Sequence, residues 1–95
     1  MKLRTTTHYV SGTVIGSYLW QVKRYMMGKY GCGTADREID PLVWYISTGR
    51  APTQFIGLLI QKKPYMIGRI LHKGGSTDEA IARVKEYIGF EEEDE

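Results

Sequence analysis

The chain is poor in the residues that carry most enzymatic and metal chemistry. Among 95 residues it has one cysteine, Cys32, and two histidines, His8 and His72. A single cysteine excludes an internal disulfide and agrees with a reducing compartment. One Cys and two well-separated His lack the paired ligand spacing of a zinc site, so neither a metal nor a cofactor is expected. Long apolar runs are missing too. None approaches the ~20 residues needed to span a bilayer, and residues 1–10 carry positive charge without the apolar stretch of a signal peptide. The expectation is an intracellular protein that makes no use of a membrane.

Recognised catalytic and nucleotide motifs are equally scarce. Cys32 in a glycine-bearing segment, with His8 or His72 as base, is the one nucleophile pair the residues allow, and no local motif supports it. Gly31-Cys32-Gly33-Thr34 and Lys73-Gly74-Gly75-Ser76-Thr77 both lack the spacing of a phosphate-binding loop with its Lys-Ser/Thr ending. In the second, Asp78 and Glu79 fill the first turn of a helix, where they satisfy the free N–H donors and repel a phosphate. The chain is therefore expected to be no enzyme.

What the chain does have is apolar content for a single core: 42% hydrophobic residues, with two Trp, seven Tyr and two Phe. Residues 54–88 read as a β-hairpin followed by a capped helix. Phe55, Ile56, Leu58, Leu59 and Ile60 make a short run of buried-strand composition. Residues 65–71 supply the second strand, with Pro64 at its start or edge because it cannot donate to a ladder. Ser76 and Glu79 have the spacing of a reciprocal capping box. Ala80, Ile81, Val84, Tyr87 and Ile88 then recur at helical period, and Gly89 stands where a C-terminal cap belongs.

The N-terminal half is less clear-cut. Residues 2–9 alternate like a strand, with three consecutive threonines favouring extended backbone. Over residues 14–27, Val14, Ile15, Tyr18, Leu19, Val22, Tyr25 and Met26 fall in one helical stripe, with Thr13 as cap and Gly28 as stop. Residues 28–34 read as a loop. Asp40 at N-cap and Pro41 at N1 start a short helix that ends before Gly49. The fold expected is a small α+β domain of order β-α-α-β-β-α over residues 1–90. Its three-stranded, mostly antiparallel sheet is covered by helices, and an acidic tail, expected to be disordered, follows at 91–95.

The net charge of +2 conceals an asymmetry. Residues 91–95 are all acidic, and without them thirteen Lys and Arg face six Asp and Glu. A body so charged attracts polyanions, and the tail competes for the same surface. Basic residues are also interleaved with aromatics: Lys23, Arg24, Lys29, Lys62, Lys63 and Arg69 to neutralise phosphates, and Trp20, Tyr30 and Tyr65 to stack on bases. That combination serves sequence-tolerant binding of single strands, although no RNP segment, helix-turn-helix or zinc finger accompanies it. The expected function is a non-enzymatic nucleic-acid-binding accessory protein. The alternative is a small protein-interaction module, an inhibitor or adaptor, with Trp20, Met27, Trp44 and Tyr65 as anchors. A homodimer fits either reading.

Overall fold

The computed structural model describes residues 12–91, and every regular element among them is a helix. In order these are α1 (Gly12–Tyr30), α2 (Cys32–Ser47), α3 (Thr53–Leu59), α4 (Pro64–Leu71) and α5 (Thr77–Ile88). The expected α+β fold with its three-stranded sheet is overturned. Both strands of the expected hairpin are helices, and the expected strand over residues 2–9 lies outside the described residues.

The physical reason is legible in the burial pattern. In α3, Phe55, Ile56 and Leu59 are buried while Gly57 and Leu58 are half-exposed, a helical i, i+1, i+4 face. A short apolar run suits a buried helix as well as a buried strand. In α4 the buried set is Ile67, Gly68 and Leu71, again i, i+1, i+4. Pro64 is the first residue of α4, after an extended Lys63. There its fixed φ and missing N–H cost nothing, since that N–H has no helical acceptor in any case. Helices of seven and eight residues do not persist alone. Each is held by side chains withdrawn from water, worth roughly 1.5–3 kcal/mol for each Phe, Ile or Leu fully buried.

The two N-terminal helices also differ from expectation. Helix α1 begins at Gly12, before Thr13, and runs two residues past Gly28. Its buried stripe is Ile15, Tyr18, Val22 and Met26, whereas Val14 is exposed. The expected loop over 28–34 reduces to Gly31, whose φ of 99° breaks the helix in a single residue. Asp40 and Pro41 start nothing; they sit inside α2, with Pro41 interior to the helix. Pro41 forfeits one intrahelical hydrogen bond, yet Ala35, Ile39, Leu42 and Ile46 form one buried stripe on both sides of it. That stripe keeps the helix continuous.

Helix α5 is as the sequence implies. The Glu79 N–H donates to Ser76 Oγ at 3.1 Å, and the Ser76 N–H donates to Glu79 Oε1 at 2.8 Å. Gly89 closes the helix at a φ of 78°. Its Ile81, Val84 and Ile88 are buried, but against α2, α3 and α4 rather than a hairpin. Arg83 does not pair with Glu79 on the outside; its guanidinium donates to the Gly74 carbonyl. Phe90 continues the core, edge-on to Phe55 at 5.7 Å, and Phe55 in turn meets Tyr45 at 5.1 Å.

Two packing arrangements position the surface. Helices α1 and α2 form an antiparallel hairpin about Gly31, with Lys23 of α1 paired to Asp36 of α2 at 2.8 Å. Helices α1 and α4 lie side by side and run the same way. The Tyr18 hydroxyl donates to the Lys62 carbonyl at 2.9 Å, Tyr25 meets Tyr65 at 6.1 Å, and Tyr30 stacks on His72 at 3.6 Å. Both sequences of contacts ascend together. Gly68 is what lets the helices approach: a Cβ there would stand 2.8 Å from Tyr25 Cδ2 and 2.9 Å from Met26 Cγ. No helix among the described residues is long and apolar enough to cross a membrane.

Candidate nucleic-acid interface

The parallel seam between α1 and α4 gathers rings. Tyr65, Arg69 and His72 share one stripe of α4 at i, i+4 and i+7. Beside them on α1 stand Tyr25 and Tyr30, edge-on to each other at 6.1 Å. The result is a row Tyr65, Tyr25, Tyr30, His72 along the seam, with Tyr65 the most open of the three tyrosines at 45% exposure. The row is braced from α2. The Glu38 carboxylate accepts from His72 Nδ1 at 2.7 Å, which holds the imidazole against the Tyr30 ring at an interplanar angle of 9°.

Two phenols of the seam are held in the uncharged form. Loss of solvent, and secondly the hydrogen bond with Tyr25, hold the Tyr30 phenol above its ordinary value, with the Arg69 guanidinium opposing the shift. Tyr18, deeper in the same seam, is pushed up by burial and further by Tyr87. Neither is a phenolate at neutral pH.

Charge segregates by helix in the same sense. Residues 12–30 and 48–75 contain no Asp or Glu at all, whereas the carboxylates of residues 12–91 fall in α2, α5 and at Glu91. Around the ring row, Lys29, Lys63, Arg69 and Lys73 are all exposed. Helices α1 and α4 bring no carboxylate to this face; Glu38 of α2 meets the row at His72, and the four cations outnumber it, which leaves a net positive field.

The residues read from the sequence as one site therefore divide. Lys29, Tyr30, Lys63, Tyr65 and Arg69 come together on the α1–α4 seam. Lys62 adjoins its start, but its ammonium lies over the Tyr87 ring of α5 at 5.3 Å. Trp20 does not join them. At 100° per residue it projects roughly 140° around α1 from Tyr25, into a groove between α1 and α2. Arg24 lies one turn along from it. Lys23 lines that same groove and is committed to Asp36. The alternative anchors are scattered as well: Met27 is half-buried, and Trp44 lies under the Arg50 guanidinium at 4.4 Å, beside α5.

No family model matches the chain, and neither the curated proteins nor the solved structures contain a match. The site is thus argued from its own geometry.

Sequence reasoning missed Tyr25, His72 and Lys73. Tyr25 looked like core because it falls in the apolar stripe of α1, and at half-exposure it is both core and surface. The signal that would have found the face is the pair of carboxylate-free blocks, which needs no structure to see. Of the Cys32 pair, Cys32 is an exposed residue at the start of α2, and His72 Nδ1 meets the Glu38 carboxylate. His8 lies outside the described residues.

Proposed function

We propose that the protein is a non-enzymatic nucleic-acid-binding accessory protein, and that the α1–α4 seam is its contact surface. The observation that carries the reading is the coincidence of the ring row with a cationic face to which α1 and α4 contribute no carboxylate. Lys29, Lys63, Arg69 and Lys73 neutralise phosphates, while Tyr65, backed by Tyr25, offers a ring on which a base stacks. A single strand is the favoured ligand class. The rings stand on a convex helical face where unpaired bases reach them, and bases inside a duplex do not. No base-edge reading is implied, since sequence-tolerant stacking needs none.

The test is fluorescence anisotropy with an end-labelled single-stranded oligonucleotide of about a dozen nucleotides, over a salt series. Four phosphate contacts give a slope of log K against log salt of about −3, at ~0.7 per phosphate on a single strand. Tyr65→Ala should weaken binding by about 1–3 kcal/mol, the usual value of one stacked base. Arg69→Gln should lower the slope by about 0.7. Saturable binding that ignores both substitutions, or no binding at low salt, refutes the assignment of this face.

A further inference from the structure

The groove between α1 and α2 is a second surface, separate from the ring row. It is lined by Gly16, Leu19, Trp20, Ile39 and Val43, with the Lys23–Asp36 pair at one end and Asp40 at the rim, and encloses about 470 Å³. Trp20 stands at its edge 51% exposed, the most open of the large apolar side chains. Large aromatics are seldom left so open beside an apolar trough unless something covers both.

The patch carries both halves of a self-complementary contact. It has a protruding indole and an apolar trough large enough for an indole. It also has a cation, Arg24, and an anion, Asp40, both exposed and neither paired among the described residues. Gly16, Trp20 and Arg24 form a single i, i+4, i+8 row, the ridge by which helices most often pack. With a two-fold axis beside Trp20, on its trough side, α1 crosses its copy in antiparallel sense and Arg24 comes to face the copy's Gly16. An added Cβ at Gly16 would meet no neighbour, so the surface there is open to a large side chain. Asp40 lies about one turn away across the groove, within reach of an arginine. A heterologous partner would have to supply an indole-sized apolar group and both charges independently. A second copy supplies all three by symmetry, since in a two-fold interface each patch meets its own equivalent.

We infer that a second copy of this chain docks here, each Trp20 entering the other's trough and each Arg24 pairing with the other's Asp40. The inference does not rest on nucleic-acid binding. The ring row lies well around α1 from Trp20, so a dimer leaves both seams open, and a strand long enough to span them gains avidity without new contacts.

Sedimentation velocity on the full chain, from about 1 μM to about 500 μM, tests it. The expected result is a shift from 10.9 kDa to twice that mass, with a dissociation constant inside this range of standard-sized or smaller interfaces. Trp20→Ala should weaken the dimer about tenfold or more, as truncating a central aromatic anchor does. Arg24→Glu and Asp40→Lys should each weaken it, and the two together should restore it, because the pair re-forms with its signs exchanged. Thermal melts of each variant confirm that the monomer stays folded. A chain that remains monomeric throughout, a dimer indifferent to Trp20→Ala, or a double reversal no better than the single ones overturns the inference.

Discussion

Replacing Gly68 with alanine should destabilise the protein, although the same change stabilises most helices. In α4 the added methyl would lie 2.8 Å from Tyr25 Cδ2 and 2.9 Å from Met26 Cγ, closer than carbon atoms approach without displacement. Met26 is fully buried and cannot swing away, and Tyr25 is held between Tyr30 and Tyr65. Overpacking of this kind costs typically 1–3 kcal/mol, against about 1 kcal/mol gained from replacing a helical glycine. The net expectation is a loss of up to about 2 kcal/mol, or a fall in Tm of up to roughly 15 °C for a domain of this size. Gly57 supplies the internal control. It lies mid-way along α3 and a Cβ there meets nothing within 4 Å, so Gly57→Ala should stabilise by about 0.5–1 kcal/mol. Urea denaturation followed by circular dichroism at 222 nm measures both. Opposite signs support the close α1–α4 crossing. A Gly68→Ala protein stabilised as much as Gly57→Ala refutes it, because the helices would then have room to spare.

Three further outcomes follow from particular residues. Burial raises the Tyr18 phenol above its ordinary value, so its contribution to stability is complete below about pH 10 and is lost only as pH rises through the folded value. Absorbance at 295 nm should show one late-titrating tyrosine that is missing in Tyr18→Phe, a variant weaker by about 1 kcal/mol at neutral pH for want of the hydrogen bond to Lys62; a Tyr18→Phe titration identical to the parent's contradicts this. Arg83→Ala should cost about 1 kcal/mol or more in chemical denaturation, since the guanidinium holds the Gly74 carbonyl and hydrogen bonds to charged groups exceed neutral ones; a variant as stable as the parent contradicts this. Ending the chain after Phe90 should leave the melt unchanged, as Phe90 is the last buried residue among those described. It should raise oligonucleotide affinity at about 50 mM salt, with the gain fading at about 1 M as screening shortens. Equal affinities at low salt would mean that the acidic residues do not compete for the seam.

Helix α5 was legible because its signals are local and redundant: Ser76, Glu79 and Gly89 each mark a boundary, and the apolar positions between them keep one period. Helices α3 and α4 were not, because seven or eight residues hold too few turns to separate a helical period from a continuous apolar run. Pro64 fits the first residue of a strand as well as that of a helix, and only the burial of Ile67 and Leu71 on one side decides. Gly31 was hidden by its company. Gly28 and Gly33 suggest a loop, yet both lie within helices and only Gly31 takes a positive φ. Asp40-Pro41 copies a helix start, and the stripe that overrides it spans residues on both sides. Which of the cations named from the sequence share a face depends on the crossing of α1 with α4, about sixty residues of chain apart at their extremes. Lys23 was lost to Asp36 in the same way.

The most direct measurement is a titration of the uniformly ¹⁵N-labelled protein with a short single-stranded oligonucleotide, followed amide by amide at low salt. The expected result is saturable shifts confined to residues 25–30 and 63–73, with 36–47 and 78–88 unmoved and the shifts collapsing as salt is raised. Shifts centred on the α1–α2 groove or on α5, or none at all at low salt, would contradict the seam as a nucleic-acid interface.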